Sequence, residues 1–178
     1  MHLKKKIRSV AYSSIISALI TLLIIAGGFF DILDLACAAV ASIIIHIISL
    51  EVNSKTAILI YAVSSVLSLI LMPLRSCPIL FAAFFGYYPV IRLFIYKKIK
   101  IRQLSYISLL AIYNIVMIAL FLAFKNVFGI AGEPYYMYVL LLLTSNVFYI
   151  SFELLMGRIM ILYNYKIKKY VIKIIGEK

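Results

Sequence analysis

The sequence predicts an all-α integral membrane protein with six transmembrane helices, both termini in the cytoplasm and a basic amphipathic C-terminal helix. Of its 178 residues, 66% are hydrophobic and 13% are charged, whereas a soluble domain contains about 45–50% apolar and about 25% charged residues. The apolar residues gather into separate long stretches, and 18 Lys and Arg outnumber 6 Asp and Glu. This composition excludes a soluble globular protein, a disordered chain and a nucleic-acid-binding domain.

Each apolar stretch contains roughly 20 residues, the length that an α-helix needs to cross about 30 Å of hydrocarbon. Charged and loop residues separate the stretches, which cover residues 9–30, 32–50, 56–74, 77–96, 104–124 and 134–156. Little of the chain is left for a soluble domain, so we expect one six-helix membrane domain over residues 1–178. The first stretch is too long for a cleavable signal peptide, so we expect it to remain as a helix.

The distribution of Lys and Arg predicts the orientation. Four lie near the N-terminus, one at position 55, five between positions 92 and 102, and six from position 158 onward, all on one predicted side. Arg75 and Lys125 fall on the other side. Cytoplasmic loops are rich in positive charge, so both termini are expected in the cytoplasm. The even number of spans agrees, because it places both termini on the same side.

The C-terminal tail, residues 158–176, has an amphipathic pattern. Ile167, Val171 and Ile174 can share one helical face, while Lys166 and Lys169 share another. We expect this helix to lie on the inner leaflet, where anionic lipids attract lysine. A helix that binds a protein partner is the alternative.

Two charged residues at the predicted outer face are candidate substrate-binding residues, because polar groups in a membrane are costly. Asp34 starts the second span, where its carboxylate can contact a substrate or simply favour the helix start. Arg75 lies in a two-proline turn between the third and fourth spans. This position suits a residue that clamps a substrate, and a solvated loop charge is the alternative.

Two tyrosines and two amides complete the predicted binding site. Tyr87 and Tyr88 precede Pro89 in the fourth span, where proline tends to kink a helix and such breaks often line a cavity. A packing kink with satisfied hydroxyls is the alternative. Asn114 and Asn146 lie deep in the fifth and sixth spans, where amides bind ligands or hydrogen-bond between helices.

Other residues receive simpler interpretations. His46 stands alone in the second span, which indicates a packed or locally hydrogen-bonded side chain. Cys37 and Cys77 are expected to be free thiols, although a bond between them is geometrically conceivable. Ala11, Ser14 and Ala18 form a small-residue stripe on the first span that lets a partner helix approach closely. The sequence has no P-loop, Gly-x-Ser-x-Gly or His-Glu-x-x-His motif, so we expect no enzyme, cofactor or metal.

These features resemble the S components of energy-coupling factor (ECF) transporters, the substrate-binding membrane subunits of vitamin and micronutrient importers. The resemblance rests on six short helices, the stripe on the first span and the basic fourth loop. Residues 84–89 (Phe-Phe-Gly-Tyr-Tyr-Pro) and residues 34–51 are also similar to a group of S-component-like proteins of Gram-positive bacteria. The resemblance covers roughly residues 9–124.

The resemblance implies a function in a bacterial cell membrane. An S component captures a small substrate near the outer face and then associates with a transmembrane coupling subunit and two ATPase subunits, toppling in the membrane to deliver its cargo. An Ala-x-x-x-Ala stripe contacts the coupling subunit in this family, and Ser14-x-x-x-Ala18 is the matching pair here, with Ser in place of the first Ala. The implied pocket residues are Arg75, Tyr87, Tyr88, Asn114 and Asn146. A structural protein of the cell envelope, like the rod-shape-determining membrane protein, is the alternative and would bind no ligand.

Overall fold

The structure is a computed structural model that describes residues 2–99, 101–123, 132, 134–163 and 165, with the backbone alone described for residues 2–9 and 31. Every element in these ranges is helical. The helices are α1 (His2–Phe29), α2 (Asp34–Glu51), α3 (Ser54–Leu71), α4 (Ser76–Leu80), α5 (Tyr88–Lys98), α6 (Arg102–Ala123) and α7 (Tyr135–Leu162). A 3₁₀ turn (Asp31–Leu33) precedes α2, and a π-helical turn (Phe81–Phe85) follows α4.

The described residues contain six helical segments that are long and apolar enough to cross a membrane, which confirms the predicted number. Five of them lie in single helices, and α4, the π-helical turn and α5 together form the remaining one, Ser76–Lys98. These segments are compatible with a multi-pass membrane protein. The orientation of the termini stays a prediction from charge.

The helix that contains the last predicted span extends beyond it. α7 continues to Leu162, past the predicted end at residue 156, because the charge of Arg158 does not interrupt backbone hydrogen bonding and its long apolar stem suits a membrane boundary. Residues 158–162 of the predicted amphipathic tail therefore belong to α7. Residues 166–176 of that tail, and Lys125, lie outside the described residues.

The chain forms two compact units, residues 1–133 with α1–α6 and residues 134–178 with α7. In the first unit, α1 packs along α2 and α3, and α2 also packs against α4 and α5. Ile24 and Ile45 are among its fully buried side chains, while Leu22 is among many exposed apolar ones. Exposed apolar faces of this extent suit contact with lipid and not with water.

Small polar residues line the contact between α1 and α3. The Ser64 hydroxyl donates a hydrogen bond to the Ser17 carbonyl oxygen at 3.2 Å, and the Thr21 hydroxyl donates to the same oxygen at 2.8 Å. Small side chains let two backbones approach closely, which favours helix association where lipid removes the hydrophobic driving force. These hydroxyls therefore have a packing role.

At one end of the first unit, α1 and α3 end and α2 and α4 begin. α1 ends close to the turn between α3 and α4, because a Cβ built on Gly28 would lie 3.2 Å from Met72 Sδ. The hydrogen bond between Ser76 and Asp34 joins the starts of α4 and α2. We call this region the Asp34 end, and the positive-inside pattern predicts that it faces outward.

The fourth span is interrupted before Pro89 and not at it. The π-helical turn and the turn at Gly86 and Tyr87 separate α4 from α5. Pro89 lies in the first turn of α5, where a missing N–H costs nothing because first-turn N–H groups have no helical acceptor. The predicted break is present, but proline begins a new helix after it.

Candidate functional site

The Asp34 carboxylate is buried at the Asp34 end, although it belongs to the first residue of α2. The Ser76 hydroxyl, from the first residue of α4, donates a hydrogen bond to Asp34 Oδ2. The carboxylate therefore joins two helices and does not serve the start of α2 alone. A buried charge needs such partners because its removal from water is costly.

Arg75 immediately precedes this pair on a strained turn. Leu74 has a φ of 63°, a left-handed conformation that costs roughly 1–2 kcal/mol for a residue with a Cβ. Arg75 then has an extended backbone (φ −94°, ψ 145°) and an exposed side chain. Strained residues persist where surrounding structure holds them, often at binding sites. The Asp34 end thus offers a carboxylate, a hydroxyl and a guanidinium within two neighbouring segments.

Two cysteines lie beside this group, and sequence reasoning had given them no role in it. The Cys77 thiol donates to the Asp34 carbonyl oxygen at 3.4 Å. A Cβ built on Gly27 of α1 would lie 2.8 Å from Cys77 Sγ and 2.7 Å from Cys37 Cβ. Only a residue without a side chain allows this approach. The sequence carries one signal for this position: Cys37 follows Asp34 by one helical turn, and Cys77 directly follows Ser76.

Tyr87 and Tyr88 belong to an aromatic cluster at the break. The Tyr88 ring lies 4.8 Å from the Phe84 ring, centre to centre, and the Tyr87 ring lies 6.0 Å from the Tyr61 ring at a steep angle. Tyr88 is 2% exposed. The Phe84 ring also lies 4.8 Å from the Tyr113 ring of α6. Packing between helices accounts for the position of these rings.

The predicted binding residues of the first unit fall into separate groups. Tyr87 follows Arg75 by twelve positions, which is roughly 18 Å along a helical span. Asn114 lies half-buried on α6, where its amide donates to the Leu110 carbonyl oxygen at 3.0 Å. Asp34 and Arg75 thus share one end of the unit, while the tyrosines lie at the break.

Asn146 belongs to α7 and thus to the second unit. Its amide donates to the Leu142 carbonyl oxygen at 2.8 Å, one turn earlier in the same helix. This bond resembles that of Asn114, and both amides satisfy a donor locally. Their contact with a substrate stays a prediction.

The predicted partner-contact stripe is exposed. Ala11, Ser14 and Ala18 lie on an outward face of α1, among apolar side chains such as Ile15. The Ser14 hydroxyl donates to the Val10 carbonyl oxygen at 3.1 Å, which satisfies it within its own helix. The Ser14 hydroxyl therefore adds no unsatisfied donor to this face of α1.

His46 is buried in the first unit, as a packed histidine should be. Its imidazole hydrogen-bonds the Pro89 carbonyl oxygen and lies near Arg92 of α5. The Pro89 carbonyl oxygen, just after the break, thus accepts a hydrogen bond from a side chain of α2. Sequence spacing does not predict this contact between two spans. Across the described residues, no group of three or more His, Cys, Asp or Glu side chains is arranged to hold a metal ion.

Comparison with known protein families, curated proteins and solved structures finds no match to this chain. The resemblance to S components therefore stays a prediction from the sequence.

Proposed function

We propose that this protein is the substrate-binding subunit of an ECF-type importer in a bacterial cell membrane. In this proposal it captures a small vitamin-like or micronutrient molecule from outside. It then delivers the molecule together with a transmembrane coupling subunit and two ATPase subunits, which supply the energy. The observation that carries the proposal is the Asp34 carboxylate, buried and hydrogen-bonded to Ser76 beside Arg75.

The charges of this group suit a small polar ligand. Asp34 can accept hydrogen bonds from an amine or another donor, while Arg75 can bind a carboxylate or phosphate in a planar, two-pronged geometry. Charged groups in a membrane protein are expensive to keep without a use. We therefore expect a ligand with both a donor group and an anionic group.

The exposed stripe on α1 supports the coupling step of the proposal. Its small side chains at Ala11, Ser14 and Ala18 leave a shallow surface on which another helix can lie close. Neighbouring exposed apolar residues of α1 widen that surface. A coupling subunit that binds there would leave the Asp34 end accessible to substrate.

Native mass spectrometry after mild detergent extraction tests the proposal. We expect the purified protein to retain a small molecule, and the intact complex in the same cells to contain membrane and ATPase subunits. A chain that retains no molecule and purifies with cell-wall assembly proteins would contradict the proposal and favour the envelope scaffold. An empty chain that still purifies with ATPase subunits would support the coupling role and locate the failure at the Asp34 end.

A further inference from the structure

The only two cysteines of the chain meet at one glycine. Cys37 lies in the first turns of α2 and Cys77 is the second residue of α4, and both contact Gly27 near the end of α1. Forty positions separate them in the sequence, so their approach is a product of the fold. Cys77 is fully buried, whereas Cys37 is partly exposed.

The distances around Gly27 limit the separation of the two sulfurs. The position that a Cβ on Gly27 would occupy lies 2.8 Å from Cys77 Sγ and 3.2 Å from Cys37 Sγ. Because both sulfurs are that close to one point, they are at most 6.0 Å apart, the sum of the two distances. Side chains exchange between staggered rotamers, and a rotation of this kind changes the separation of the two sulfurs.

We propose that Cys37 and Cys77 form a reversible disulfide that links α2 to α4 at the Asp34 end. Cys37 begins the reaction because it is the partly exposed thiol. Its thiolate attacks one sulfur of a disulfide-containing oxidant, forms a mixed disulfide and releases the first thiol of that oxidant. The Cys77 thiolate then attacks Cys37 Sγ and releases the second thiol. The two cysteines lose two protons and two electrons, and the oxidant gains both electrons.

The bond would tie together the two segments that hold the Asp34 and Ser76 side chains. Cys37 lies one turn after Asp34, and Cys77 is adjacent to Ser76, so the link lies next to that hydrogen bond. The Cys77 thiol donates to the Asp34 carbonyl oxygen in the reduced protein. In the oxidised protein this hydrogen bond is replaced by the covalent bond to Cys37. This modification is independent of the proposed transport function.

The test is oxidation of the purified full-length protein with oxidised glutathione in detergent. After acid quenching and denaturation, free thiols are labelled with a maleimide-coupled polymer and counted on a non-reducing gel. We expect two labels before oxidation and none after, an intact mass lower by two hydrogens, and a crosslinked peptide pair containing both cysteines. Two labels after oxidation, or a bond only between two chains, would overturn the proposal.

Single variants separate the roles of the two thiols. The Cys77→Ser variant is expected to stop at the mixed disulfide and to carry one glutathione on Cys37. The Cys37→Ser variant is expected to take up glutathione at least about tenfold more slowly, because thiol exchange requires access to the attacking sulfur. Equal rates of glutathione uptake would contradict the assignment of Cys37 as the attacking thiol.

A pair of glycine variants tests whether the missing side chain of Gly27 is needed for the disulfide to form. Gly27→Ala is expected to slow closure at least about tenfold, since disulfide geometry tolerates little displacement. Gly28→Ala is the matched control, because its Cβ would meet the flexible side chain of Met72 at 3.2 Å. Circular dichroism identifies a variant that fails to fold, and the single-cysteine variants decide the proposal in that case. Closure of Gly27→Ala at the wild-type rate would contradict the part assigned to Gly27.

Discussion

The Tyr61 ring of α3 lies directly against Gly86, at the break in the fourth span. A Cβ on Gly86 would come within 2.2 Å of Tyr61 Cδ2. The hydroxyl of the same tyrosine donates to the Ala82 carbonyl oxygen of the π-helical turn at 2.7 Å. One residue of a neighbouring helix thus packs on the turn and also donates a hydrogen bond to a backbone oxygen of that turn, which stabilises an interrupted helix inside an apolar environment.

The Gly86→Ala variant is expected to destabilise the protein by about 1–3 kcal/mol, because a side chain inserted into a packed core displaces its neighbours. Thermal unfolding in detergent, followed by circular dichroism, measures the change. Gly157→Ala is the control: nothing lies within 4 Å of its Cβ position, and alanine favours a helix interior over glycine. Equal stability of the two variants would contradict the tight contact with Tyr61.

Pro89→Ala is expected to change the free energy of unfolding by less than about 1 kcal/mol, because proline occupies the first turn of α5 and its loss restores no missing helical bond. The break would remain, since the π-helical turn and Tyr61 hold it. Denaturant titration of the purified variant measures this. A loss of several kcal/mol would show that proline itself maintains the break.

A double-mutant cycle on Asp34 and Ser76 is expected to give a coupling energy of about 1.5–3 kcal/mol, the range for hydrogen bonds to charged groups. The variants are Asp34→Asn, Ser76→Ala and the double variant, and their stabilities are measured by the same unfolding assay. Ser151→Ala is the control, because its hydroxyl donates only within α7, to the Val147 carbonyl oxygen. A coupling energy near zero would contradict a stabilising bond between α2 and α4.

Arg75→Ala is expected to abolish retention of the bound small molecule in native mass spectrometry while leaving the melting temperature within a few degrees of the wild type. The Arg75 side chain is exposed, so its loss should remove little packing, whereas the proposed ligand site would lose its anion-binding group. Arg102→Ala, also exposed but at the start of α6, is the matched control and should retain the molecule. Retention by both variants would remove Arg75 from the site.

Ala18→Leu is expected to reduce copurification of the coupling subunit and ATPases by at least about tenfold, because a large side chain separates closely packed helix backbones. Ala62→Leu on α3 is the control, since Ala62 is also an exposed helical alanine. Quantitative mass spectrometry of affinity-purified complexes compares the two. Equal yields of partner subunits would place the coupling surface away from the α1 stripe.

The predicted site residues lie in separate groups, and spacing along the chain did not predict this separation. Asp34 and Arg75 were predicted as candidates because they are charges beside apolar spans, and that property is local. Ser76 was not, although it holds the Asp34 carboxylate, because a serine beside a proline turn has no distinctive pattern. Whether two spans present their polar residues to each other depends on the rotation of each helix about its axis.

The sequence by itself determined the number and type of the spanning segments. Apolar content and the charges between stretches are sums over neighbouring residues, and a helix in lipid must satisfy its own backbone. Only the tertiary structure decided that Pro89 lies in the first turn of a new helix, that Ser76 reaches Asp34, and that both cysteines meet at Gly27. Those relationships depend on which faces of two helices pack together and on how closely they approach. Side chains from distant positions in the sequence jointly determine that packing.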